Sequence, residues 1–89
     1  MKIIKQTERT TKALANGRRL AIVSCLKRNN ELSVGNIAGE IHLSFKSTSK
    51  HLRILLLANI LERRQVNLQM FYRLLPIQKP FVRKLIEIL

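Results

Sequence analysis

The sequence has no aspartate, no tryptophan, one cysteine and two histidines. A lone cysteine, Cys25, excludes a disulfide within the chain, and one Cys with two His falls short of the four ligands of a structural zinc site. No metal and no cofactor are expected. The acids are five glutamates, Glu8, Glu31, Glu40, Glu62 and Glu87, scattered along the chain with no nucleophile–histidine–acid set beside them, so an enzyme is not expected. Three glycines and two prolines leave no linker, repeat or low-complexity tract. No apolar run approaches the ~20 residues that span a bilayer. The start, Met1 to Lys5, is too short in apolar residues for a signal peptide, and no Asn-x-Ser/Thr acceptor occurs. The expectation is a cytoplasmic protein whose thiol stays reduced.

What is abundant is positive charge. Seventeen Lys and Arg oppose the five acids, for a net charge of +12 over 89 residues. Such self-repulsion in a compact domain points to a polyanionic partner, and nucleic acid is the expected one. A chain this short makes one domain, residues 1–89, that buries only about 60% of its unfolded surface. With disulfide and metal set aside, a partner subunit is the natural source of further stability.

Apolar periodicity and caps divide the chain. Residues 2–15 read as a helix with Ile3, Ile4, Thr7, Thr11 and Leu14 along one side. Asn16-Gly17 breaks it, and Asn16 caps a second helix over 18–28 with Leu20, Ile22, Val23 and Leu26 inward. Residues 29–31 read as a loop. Ser33 caps a short helix to His42, and Ser44 caps a longer one ending at Leu57 or Ala58, with Thr48, Leu52, Leu55 and Leu56 inward. Asn59 suits a left-handed closing position. Two β-like runs, 60–66 and 69–75, flank Asn67-Leu68, where Asn tolerates the positive φ of a tight hairpin. After Pro76 a last helix carries Phe81, Val82, Leu85, Ile86 and Leu89. The predicted architecture is mainly α with a small β-hairpin, in the order α-α-α-α-β-β-α. Two short helices joined at His42-Leu43-Ser44 and followed by a hairpin make a winged helix-turn-helix. Its second helix has the size to enter a major groove.

Over about two-thirds of its length, residues 13–75, the chain resembles the ArsR/SmtB family of winged-helix repressors. The matching stretches are ALANGRRL from Ala13 to Leu20, ELSVGNIA from Glu31 to Ala38, Leu43-Ser44 with SKHLRIL from Ser49 to Leu55, and FYRL from Phe71 to Leu74. The resemblance implies a homodimer built from the first and last helices, a recognition helix starting at Ser44, and a repressor that binds operator DNA until a signal releases it. The sensing chemistry does not carry over. Ser33 and Gly35 stand where many family members place metal-binding cysteines, and the last helix has Glu87 but no His.

Ser44, Phe45, Lys46, Ser47, Ser49 and Lys50 fall in the first two turns of the recognition helix, the part that meets base edges and phosphates. Phe45 replaces the polar residue more usual in the family; it either touches a thymine methyl or packs on the preceding helix. His51 lacks a companion ligand and reads as structural or phosphate-contacting, and Cys25 reads as core packing. Arg63 and Arg64 are neighbours on a strand and point to opposite faces, so at least one meets the DNA backbone, with Arg73 able to join it. Leu68 at the hairpin tip stands where the family often has a cation. Ile3, Ile4, Thr7, Leu14, Phe81, Val82, Leu85, Ile86 and Leu89 form the expected dimer interface. The expected partners are therefore double-stranded DNA and a second copy of the chain, with no membrane. The competing readings are an RNA-binding or nucleoprotein-assembly module, and a last helix lying on a membrane surface.

Overall fold

The computed structural model describes residues 1–89. Helix α1 (Lys2–Leu14) is rich in threonine, and its hydroxyls turn inward along the helix: Thr7, Thr10 and Thr11 donate to the carbonyls of Ile3, Gln6 and Thr7 at 2.7, 2.9 and 2.7 Å. With the hydroxyls satisfied, these residues present methyl groups to whatever they face. Only Thr10, Ala13 and Leu14 of this helix are buried, and residues 1–9 are all exposed.

The next three helices start where side-chain oxygens relieve the unpaired amides of a first turn. Asn16 accepts from the Arg19 amide at 3.1 Å to open α2 (Gly17–Arg28). Ser33 accepts from Asn36 at 3.2 Å to open α3 (Val34–Ile41), and Ser44 from Ser47 at 3.1 Å to open α4 (Phe45–Leu57). Between α3 and α4 the chain reverses at His42, which sits in the left-handed region with φ 55°. Asn59 (φ 60°) and Asn67 (φ 56°) take the same conformation, the latter at the tip of the hairpin of β2 (Leu61–Val66) and β3 (Gln69–Leu74). Asparagine tolerates that geometry better than other non-glycine residues.

One feature departs from the sequence reading. Residue 31 belongs not to a loop but to a three-residue strand, β1 (Glu31–Ser33), which pairs antiparallel with β3 through Glu31–Arg73, Leu32–Tyr72 and Ser33–Phe71. The hairpin is thus part of a three-stranded sheet in the order β1-β3-β2. The last helix, α5 (Pro80–Ile88), starts with Pro80 in its first turn, where the missing amide costs nothing. The connection before it is held by the Gln78 amide, which donates to the Ile60 and Leu75 carbonyls at 2.9 Å each.

One apolar cluster joins every helix to the sheet. Ile22, Val23 and Leu26 from α2, Ile37 from α3, and Leu52 and Leu55 from α4 are buried with Ile60, Leu61 and Tyr72. Leu14 and Val82 belong to this same cluster, at 5% and 1% exposure. Both correct the expected dimer interface: the C-terminal turn of α1 and the inner side of α5 dock on the chain's own helices, leaving those two side chains nothing to offer a partner. Leu85 and Ile86 pack half-buried against the cluster.

Candidate nucleic-acid interface

The inner side of α4 (Thr48, Leu52, Leu55) is buried, which fixes its rotation. Phe45, Lys46, Lys50 and Arg53 are then exposed together with Ser44 just ahead of the helix, while Ser47 and Ser49 are half-buried at the margins. Steps of three and four residues (45–49–53, 46–49 and 46–50, 50–53) place Phe45, Lys46, Ser49, Lys50 and Arg53 on one face. Arg53 is the residue the sequence reading overlooked. It lies three positions beyond Lys50, and the helical period alone would have found it. At the head of this face the first-turn amides have no carbonyl one turn back, which gives the helix start a partial positive charge suited to an anion.

Wing cations sort by pairing. Glu31, Arg73 and Glu62 are in register across the sheet, and strand alternation puts Arg64 on their side. There Arg64 grips Glu31 with both arms, Nε to Oε2 at 2.8 Å and an NH2 group to Oε1 at 2.7 Å, and Arg73 donates to Glu62. The guanidinium of Arg64 holds the Glu31 carboxyl below the usual carboxylate range. Arg63 points to the opposite face and has no carboxylate partner. Of the three candidate arginines, Arg64 and Arg73 are thus paired with carboxylates and Arg63 is not.

His51 does not stand alone. The Arg19 guanidinium donates to its Nδ1 at 3.1 Å, and reaches the Ala13 carbonyl through Nε at 2.6 Å and the Lys12 carbonyl at 3.3 Å. Arginine only donates, so Nδ1 accepts and the imidazole proton resides on Nε2. This fan ties the end of α1 and the start of α2 to the middle of α4. Burial, with Arg19 and then Arg18 nearby, lowers the His51 pKa below its usual 6.5. A base whose folded pKa is depressed gives stability that is complete above 6.5 and lost as pH falls through 6.5 toward the folded value. The melting temperature should therefore drop between pH 7.5 and 5.5. The His51→Gln variant, which keeps an acceptor but cannot titrate, should drop less. Equal falls in both proteins would rule out His51 as the source.

On α1 and around α5 apolar surface is uncovered. Ile3 is 77% and Ile4 66% exposed, Thr7 is exposed beside them, and Phe81, Ile88 and Leu89 are open on α5. The Lys79 ammonium, just ahead of α5, reaches Thr10 Oγ1 of α1 at 3.3 Å. Cys25 is fully buried, and burial, reinforced by Glu40, pushes its thiol pKa up, away from the reactive thiolate. His, Cys and Glu side chains gather nowhere in groups of three that could hold a metal ion. No helix is long and apolar enough to cross a membrane.

Comparison with known proteins matches this arrangement. The sequence profile of bacterial regulatory proteins of the arsR family covers residues 16–63, from the cap of α2 into β2. The transcriptional activator HlyU of Vibrio cholerae is 37% identical over 78 residues, 88% of this chain and 68% of HlyU. Among solved structures, a homodimeric winged helix-turn-helix DNA-binding domain from Mycobacterium bovis has a TM-score of 0.82 at 30% identity, over 97% of this chain and 76% of that one. HlyU of Vibrio cholerae has a TM-score of 0.81 at 33% identity, over 98% and 90%. The transcriptional repressor PagR of Bacillus anthracis has a TM-score of 0.78 at 25% identity, over 96% and 93%.

Proposed function

The chain belongs to the ArsR family of bacterial regulatory proteins, transcription regulators with a winged helix-turn-helix DNA-binding fold, and from that premise we propose that it is a homodimeric repressor that reads a specific operator. The observation that carries this reading is the exposed face of α4, where Lys46, Ser49, Lys50 and Arg53 flank a capped helix start and none of the three cations is engaged by a carboxylate. Ser44, Ser47 and the first-turn amides serve phosphates and fix the helix in the groove. Ser49 and Lys50 reach base edges, where a lysine recognises the O6 and N7 of guanine. Occupying a promoter blocks polymerase with nothing added to DNA binding. Relatives named activator and repressor share this fold.

Selection from a random duplex pool is the direct test. A two-fold dimer should enrich a palindrome whose half-sites lie about 10 base pairs apart, or a multiple of it, because successive major-groove entries on one face are one turn apart. On that site Lys50→Ala or Ser49→Ala should cost roughly 1–3 kcal/mol, with a much smaller change on random DNA. If the pool yields no preferred sequence, or if a wing substitution alters the preference while the α4 substitutions leave it intact, the assignment of α4 is wrong.

A further inference from the structure

Phe45 is an anomaly on the surface that α4 presents. It is the first residue of the helix and 63% exposed, set among Lys46, Ser49, Lys50 and Arg53. Packing on the preceding helix would have explained an aromatic here, but a side chain so exposed is not serving the core. The apolar surface left open for a second subunit does not explain it either, since that surface lies on α1 and α5. Phe45 instead borders an open cleft of about 360 Å³, together with Val34 at the start of α3 and Leu68 and Met70 of the hairpin. Leu68 is 97% exposed, whereas Val34 is buried, and Ser33, Gly35, Asn36 and Gln69 complete the lining.

We propose that Phe45 is a base-reading residue that recognises the 5-methyl group of a thymine in the major groove. The proposal rests on α4 being the recognition helix and names what one of its side chains selects. Three physical points support it. The first turn of such a helix comes nearest to base edges, and the Ser44 cap anchors the backbone from which Phe45 projects. A phenyl ring neither donates nor accepts a conventional hydrogen bond, and the thymine methyl is the one apolar group that the four base pairs expose in the major groove. A ring against the amino group of cytosine or adenine would strip water from that donor without replacing the bond, so the same contact that attracts thymine penalises the alternatives. An aromatic left in water in the free protein thereby gains its burial only on the correct sequence.

The test is methyl deletion on the DNA rather than mutation alone. In the duplex preferred by the full-length protein, each thymine is replaced symmetrically by deoxyuridine, which keeps the pairing edge and removes only the methyl. Binding is followed by anisotropy for the wild type and for Phe45→Ala, whose melting temperature should match the wild type because the side chain is exposed. Removing one buried methyl from each half-site should weaken wild-type binding about fifteen-fold at one symmetric pair of positions, and Phe45→Ala should be indifferent there. Indifference of the wild type at every thymine, or equal sensitivity of both proteins, would overturn the proposal. If Lys50→Ala still shifts the sequence preference, that failure concerns Phe45 alone. If no α4 substitution shifts it, the recognition-helix reading falls as well.

Discussion

Raising the salt concentration from 50 to 200 mM should weaken operator binding by about 10³-fold. Each cation that neutralises a phosphate releases condensed counterions, and the logarithm of the binding constant falls with the logarithm of salt at about 0.9 per contact. Ion pairing within the chain decides which cations take part. On α4 and the wing, Lys46, Lys50, Arg53 and Arg63 are exposed and have no carboxylate partner, whereas Arg64 and Arg73 hold Glu31 and Glu62. With Lys50 on a base edge, the other three free cations per subunit, doubled in a dimer, predict a log–log slope of about −5. Arg63→Ala should reduce its magnitude by nearly two and weaken operator and random DNA alike, since a phosphate contact carries no sequence information. Arg64→Ala should leave the slope almost unchanged, because its bidentate grip on Glu31 already satisfies it within the sheet. Titrations of the three proteins across salt decide the matter. A slope shallower than about −3, or equal flattening by both substitutions, would mean that the wing does not meet the duplex as described.

Replacing Ile3 and Ile4 together by aspartate should convert the protein to a folded monomer and lower operator affinity by about 10²- to 10⁴-fold, the gain usually made by linking two recognition modules. Both side chains are more than half exposed, and residues 1–9 contribute nothing to the buried cluster, so the single chain has no use for their apolar surface. Phe81 and Leu89 near the other chain end add exposed apolar surface of the kind that a partner covers. A two-fold arrangement covers it with its own copy. Aspartate at these positions does not oppose the helix itself: α1 has no acid in its first turn, where negative charge is favoured. Sedimentation separates the outcomes. A wild type that is monomeric and folded at micromolar concentration, or a double variant that retains full operator affinity, would remove the dimer from the account.

The order of elements was legible because its signals are local. Asn16, Ser33 and Ser44 each bond to an amide three residues on, and Asn59 and Asn67 take left-handed geometry within their own turns. Likewise the buried side of α4, Thr48, Leu52 and Leu55, follows from a period of 3.6 residues that any reader can count. The basic composition pointed to a polyanion before any geometry was known.

What only the tertiary structure decided is which long-range partner each side chain finds. Strand β1 is too short to show a period, and exists because Leu32 meets Tyr72 forty residues later in the chain. Leu14 and Val82 have the same apolar character as Ile3 and Phe81, yet docking on the chain's own core absorbs the first two and leaves the others in the open. Arg64 and Arg63 are chemically identical neighbours; strand alternation delivers one to Glu31 and leaves the other unpaired. His51 acquires Arg19 across 32 residues, and Phe45 is left in water, where either outcome was open from its neighbours alone. Caps, turns and amphipathic faces depend on bonds spanning a few residues and are written in short stretches. Pairing and exposure depend on how those stretches pack, and in a chain this small one packing arrangement sets both the core and the charges left unpaired.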